Sequence, residues 1–132
     1  MKSNQIKVNN MIEKLARISK ANLEIQDRGI LNFWIMVDYE EGMSQGVGGI
    51  ALDTYDEDKK KRIGTAYGCE VIRQLLLALD VNDFSEMKGK MIYVLGEGSG
   101  LSFTPKGIKT LQLNGGKEVI FSKILADFPV GK

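Results

Sequence analysis

Hydrophobic and polar positions along the chain fall into short alternating runs and one strongly apolar helical run. "ILNFWIMVDY" (30–39) is dense in β-branched and aromatic residues and predicts a central strand. "EEGMSQG" (40–46) predicts a turn, and "VGGIALD" (47–53) a returning strand. Upstream, Ala21, Leu23 and Ile25 alternate with Asn22, Glu24 and Gln26, which predicts a half-buried strand ahead of the turn signal "QDRG" (26–29). The segment before it reads both ways. Met11, Ile12, Leu15 and Ile18 have helical spacing, with Asn10 and Glu13 as a capping box, so helix and strand both stay open over residues 10–20. Residues 1–8 read as a polar tail and residues 9–132 as one domain.

Downstream, "TYDEDKKKR" (54–62) reads as a solvated, self-compensating charged loop. "CEVIRQLLLALD" is the clearest helix, with Thr65 as its N-cap. Cys69, Ile72, Leu76 and Leu79 form the predicted buried stripe, widened by Val71, Leu75 and Ala78. A helix this apolar is expected to be covered on more than one side, by the sheet and a loop or by another subunit. "VNDFSEMKGK" (81–90) is a link turning at Gly89, and "MIYVLGEG" (91–98) a strand. "SGLSFTPKG" (99–107) reads as a loop, and "IKTLQLN" (108–114) alternates with a one-step slip. "NGGK" (114–117) is a hairpin-type turn, and "EVIFSKILADF" (118–128) a strand running into a short helix. The fold class expected is α+β: an antiparallel β-sheet (meander) packed against one main apolar α-helix in a small single domain.

Composition narrows the chemistry. The chain has 132 residues, is 43% hydrophobic and 27% charged, and carries a net charge of +1. That size suffices to bury a core without metal or disulfide, and the near-neutral charge argues against a dedicated DNA-backbone binder. It has no histidine and one cysteine, Cys69. Histidine-dependent nucleophile systems, histidine-ligated zinc and cysteine-rich zinc sites are therefore excluded. No apolar run reaches the ~18 residues of a membrane-spanning helix, and the opening "MKSNQIKVNN" lacks the apolar core of a signal peptide. A cytoplasmic protein without cofactor, bound metal or catalytic residues is the expectation.

Two glycine-rich stretches are the candidate ligand cradle. Gly46, Gly48 and Gly49 crowd a strand, where glycine more often marks a bulge or a close crossing than a ligand. Gly64 and Gly68 flank a helix start, where free N–H groups serve either ordinary capping or an anion. If a nucleotide binds, the residues expected to hold it are Gly48, Gly49, Arg62, Gly64, Thr65 and Arg73. Asp53, Asp56, Glu57 and Asp58 lack the spacing of a calcium loop. Trp34 has the opposite strand parity to Phe33, Ile35 and Val37, so either Trp34 or Phe33 faces away from the core. An outward aromatic can stack a base, pack under the helix or make an oligomer contact, and the last two weigh more.

The series "DRGIL" (27–31), "QGVGGIALD" (45–53), "GTAYGCEVIRQLLLALDV" (64–81) and "MKGKMIYV" (87–94) resembles a group of small, mostly uncharacterised phage and prophage proteins. The likeness spans about residues 13 to 95 and carries no catalytic motif. It implies a viral accessory protein acting in the host cytoplasm, with an anti-defence role. Such a protein binds a host defence protein, such as a CRISPR effector, or sequesters a nucleotide signal, and is expected to be a homo-oligomer. A nucleic-acid-binding module, resting on Lys59–Arg62 and the strand aromatics, is the alternative. An enzyme built on carboxylates and a divalent metal ranks below both, and a structural role in the virion remains a fourth reading.

Overall fold

The computed structural model describes residues 11–131. The expected tail over residues 1–8 and the Asn10 half of the expected capping box lie outside them. The chain opens with β1 (Ile12–Ile25), β2 (Leu31–Tyr39) and β3 (Ser44–Ala51), continues through β4 (Asp53–Asp56) and β5 (Lys61–Gly64), and enters helix α1 (Ala66–Leu79). β6 (Met91–Glu97), β7 (Thr104–Thr110), β8 (Glu118–Ile120) and a short helix α2 (Phe121–Asp127) complete it. Six strands form one sheet in the order β3-β2-β1-β6-β7-β8, and β4 and β5 form a separate ribbon. Every strand pairing is antiparallel. The α+β architecture expected from the sequence is the one observed.

Of the residues left open on paper, those from Ile12 to Lys20 belong to a long strand. The strand carries a bulge. Ile18 pairs with Val37 and Lys20 with Met36, so Ser19 is an extra residue whose hydroxyl donates to the Met36 carbonyl at 3.2 Å. Before the bulge the core-facing positions are Ala16 and Ile18. After it Ala21 takes that side, opposite Ile35, and Leu23, opposite Phe33, follows it but is exposed at the end of the strand. One inserted residue breaks the period of two between the halves of the strand, while the half-buried Leu15, on the face opposite Ala16 and Ile18, gives the first half its helix-like spacing.

Strand parity on β2 sends Phe33, Ile35, Val37 and Tyr39 into the core and Trp34, Met36 and Asp38 to the opposite face. Both helices lie on the core side, where Val71 and Leu75 of α1 and Phe121 and Ile124 of α2 join Phe33, Val47, Ile92, Val94 and Ile108. Phe33 meets Phe121 edge to face at 5.8 Å between ring centroids. The sheet also curls. Tyr39 and Phe103 stack edge to face, and the Gln45 Nε2–H donates to the Phe103 carbonyl at 2.9 Å, which ties the start of β3 to the approach to β7.

Three expectations are corrected. The charged run 54–62 is a hairpin ribbon, because Asp56 Oδ1 accepts from the backbone N–H groups of Asp58 and Lys59 and folds the turn, while the charged side chains from Glu57 to Lys61 stay exposed. The segment 99–107 turns at Gly100–Ser102 and enters β7 at Thr104, and Pro105 is tolerated there because the β6–β7 register shifts beside it. Of the expected buried stripe of α1, Val71, Leu75, Ala78 and Leu79 are buried, but Tyr67 and Gly68 rather than Cys69 complete it, which shifts its phase at the amino end. Cys69 is exposed, and Ile72 and Leu76 are only half-buried.

Gly68 sets that phase. A Cβ there would penetrate the Leu52 carbonyl, whereas one at Gly64 would meet open space. Gly68→Ala should therefore destabilise by about 3 kcal/mol, the upper range of overpacking. Gly64→Ala should stay within about 1 kcal/mol of the parent. Urea unfolding of the two variants side by side checks this, and equal midpoints would contradict the close approach. Cys69 should react with a thiol reagent in the native protein at the rate of an exposed thiol; protection until denaturation would restore the expected stripe.

Candidate functional site

Of the residues singled out as a nucleotide cradle, Gly48, Gly49, Arg62 and Thr65 make contacts within the fold, and Arg73 stands apart. Gly49 is the extra residue of a bulge, since Phe33 pairs with Ile50 and Trp34 with Gly48. A Cβ on Gly48 would stand 2.7 Å from the Phe33 ring, and one on Gly49 would enter the Trp34 ring. Both glycines thus make room for aromatics of the adjacent strand. Arg62 Nη2 donates to Asp53 Oδ1 at 2.8 Å and to the Asp53 carbonyl at 3.3 Å. The Thr65 hydroxyl donates to the Leu52 carbonyl at 3.0 Å and accepts the Gly68 N–H at 2.9 Å, the N-cap expected from the sequence. Arg73 is exposed beside Glu70 and lies eight residues beyond Thr65, about 12 Å along the helix.

Gly64 and Thr65 alone of the six line the depression at the helix start, together with Asp56, Asp58, Tyr55 and the segment Pro129–Gly131. Among the described residues, its charged lining groups are acidic. This electrostatic setting disfavours an anion at the helix N-terminus. A second depression, of about 580 Å³, lies at the carboxyl end of α1 between Leu79, Asp80 and the strand ends carrying Lys90 and Lys117. Cations at that end complement the carbonyl groups of the helix.

Asp53 is the electrostatic anchor of this region. It accepts the Leu31 backbone N–H at 3.1 Å as well as the Arg62 guanidinium. The hydrogen bond from Arg62, more than the bond from Leu31, holds its carboxyl below the ordinary aspartate range. Tyr39 moves the other way: burial first, then the nearby Glu41 charge, pushes its phenol up to about 12. Its hydroxyl donates to Gln45 Oε1 at 2.6 Å. Both shifts arise from structural hydrogen bonds and burial at the junctions of the fold. No group of three or more Cys, Asp or Glu side chains positioned to hold a metal ion occurs among the described residues.

The place where unusual side chains meet is the helix-free face of the sheet. The six-membered ring of Trp34 lies across Gly46 and Gly49 of β3, where a Cβ on Gly46 would stand 2.8 Å from it. Trp34, Met36, Gly46, Lys20 and Asn22 line a shallow depression of about 610 Å³. Trp34 and Met36 are only half-buried, and among the described residues neither helix packs over them. The parity of Trp34 was readable in the sequence. The role of the glycines as its bed was not, because nothing in the sequence says which strand lies beside which.

No family model, curated protein or solved structure matches this chain. No helix among the described residues is long and apolar enough to cross a membrane.

Asp53→Asn should lower the urea midpoint at pH 7. The stability that ionised Asp53 contributes is fully present above its unfolded value of about 3.9 and is lost as pH falls through the depressed folded value. The deficit of the variant should therefore close below about pH 4. A deficit constant from pH 7 to pH 3 would show that the ion pair is not its source.

Proposed function

We propose that the chain is a non-enzymatic binding protein that engages its partner on the helix-free face of the sheet, around Trp34 and Met36. The observation that carries this reading is the half-buried Trp34 on its glycine bed, on the face opposite the core. A large apolar side chain left half-open in a shallow depression has most to gain from a covering partner. The absence of histidine from the chain, and the assignment of the shifted Asp53 and Tyr39 to structural contacts, favour binding over catalysis.

The phage-type resemblance of residues 13–95 supplies the setting: an accessory protein in the host cytoplasm with an anti-defence role. Its partner is then a host defence protein or a nucleotide signal, with a second copy of the chain on the same face as the route to a homo-oligomer. The face carries Arg17 and Lys20 beside Asp38, so no large single-sign field develops there. This speaks against a nucleic-acid-binding module that relies on backbone charge.

Native and denaturing mass spectra of protein purified from its host, together with pull-down from that host, test the reading. A specific bound species is expected, and Trp34→Ala or Met36→Lys should weaken its binding by about 2 kcal/mol, roughly thirtyfold. Arg73→Ala, on the opposite side of the fold, should leave it unchanged. A bound species retained equally by both face variants, with their fold intact by circular dichroism, would place the binding surface elsewhere.

A further inference from the structure

The helix-free face carries more than the Trp34 depression. Trp34 and Met36 project to it from β2, and Met91 and Tyr93 from β6, because Phe33, Ile35, Ile92 and Val94 beside them point into the core. Arg17 projects between the two pairs from β1, with Asp38 opposite it on one side and Met91 on the other. Trp34, Met36 and Tyr93 are half-buried, and Met91 is 40% exposed. Tryptophan, tyrosine, methionine and arginine are the residues enriched where proteins meet proteins. A face that gathers all four is composed like an interface core, unlike an ordinary solvated surface.

The charges on this face select the partner. Asp38 accepts from the Ser44 hydroxyl at 2.7 Å and stands directly opposite Arg17, yet neither of the two forms an ion pair with a described residue. Farther out, Lys109 and Glu13 already pair at 2.7 Å, and Lys20 has Glu24 of its own strand within electrostatic reach. An unpaired cation beside an unpaired anion is a pattern that is its own complement. A two-fold axis running between β1 and β2, along the strands, sets Arg17 of each copy over Asp38 of the other. A strongly acidic or strongly basic partner would meet one of the two with like charge. The size also fits. Six strands about 4.8 Å apart, each with about seven residues rising about 3.3 Å, give the face roughly 650 Å² in projection. A standard interface takes about 800 Å² of accessible surface from each partner, and the relief of the side chains supplies the difference.

We propose that this face packs against the same face of a second copy of the chain, sheet on sheet. Reciprocal Arg17–Asp38 pairs lie at its centre, and Trp34, Met36, Met91 and Tyr93 surround them. Two twisted sheets meet in this way about 10 Å apart, with their side chains interdigitated. The helices stay on the outer sides of the pair, where they already cover the core. The inference rests on the open-face reading above and names the partner.

The experiment is sedimentation equilibrium of the full-length protein at several concentrations, with tryptophan emission recorded on the same samples. Trp34 is the only tryptophan in the chain, so its emission reports on this face alone. A monomer–dimer equilibrium is expected, with emission shifting to the blue as the dimer forms. Arg17→Asp and Asp38→Arg, both at exposed positions, should each raise the dissociation constant at least about tenfold. An equimolar mixture of these two variants should regain the parent affinity, because each then offers the charge that the other lacks. Contacts within one chain cannot be restored by mixing. Leu77→Lys, on the exposed side of α1, should change nothing. A reversal that unfolds the chain by circular dichroism is replaced by Arg17→Gln or Asp38→Asn, which should weaken the dimer in the same direction. A dimer indifferent to both positions overturns the proposal, and its loss with Leu77→Lys would move the contact to the helix. Folded variants that weaken the dimer without rescue on mixing overturn the reciprocal pairing. A monomer at every concentration overturns the proposal as well. Capture of a host partner that still depends on Trp34 then leaves the open-face reading standing, and capture indifferent to Trp34 ends both.

Discussion

The fold hinges on one close approach, where helix α1 meets the chain just after β3. Gly68 lies against the carbonyl of Leu52, and the Thr65 hydroxyl closes on the same carbonyl from the helix cap. One residue later, Asp53 gathers the Leu31 amide and the Arg62 guanidinium. Within two consecutive residues the chain therefore fastens the start of β2, the ribbon and the helix. These contacts have a direct energetic logic: a buried carbonyl and a nearly buried carboxylate each need donors, and the neighbouring elements supply them. The glycine removes the one side chain that would keep the helix from reaching the core. The position of α1 over the sheet, and hence which sheet face remains open, follows from that junction.

This junction also explains what could be read from the chain and what could not. β2, the helix, its Thr65 cap and the strand-to-helix transition at residues 118–128 were legible because each carries a strong local signal: β-branched and aromatic density, apolar spacing, a hydroxyl at a helix start. Most of the helix's buried face was legible too, at Val71, Leu75, Ala78 and Leu79, but its edge at Gly68 was not. Hydrophobic pattern weighs Cys69 and Ile72 as core and passes over Gly68, because a glycine contributes no hydrophobicity to a stripe even when it marks the closest contact. The second half of β1 was legible from its alternation, but not its continuity with the first half, because Ser19 adds one residue and no apolar signal, yet inverts the parity between the two. The ribbon was missed because its charged side chains are solvated while its backbone is paired, and composition reports only the former.

The candidate site shows the same division. That either Trp34 or Phe33 must face outward followed from strand alternation alone. Which of them did so depended on the side the helices cover. That Gly46 and Gly49 lie under the indole depended on the pairing of β2 with β3. The glycines attracted attention as a ligand cradle, and their actual service is to the aromatics: Gly48 yields to Phe33 on the core side, while Gly46 and Gly49 yield to Trp34 on the other. One short strand thereby accommodates a packed ring on one face and an accessible ring on its reverse.

The bulge at Gly49 has a consequence for how this protein can meet others. β3 is one edge of the six-stranded sheet, and its ladder is interrupted there by a residue with φ +68°. The opposite edge, β8, has only three residues. Neither border offers a long, regular row of amide and carbonyl groups to an incoming strand. Sheet extension by a partner's backbone is thereby discouraged at both ends, as is runaway edge-to-edge stacking of identical chains. A molecule bordered in this way presents its side chains, rather than its backbone, to whatever approaches it.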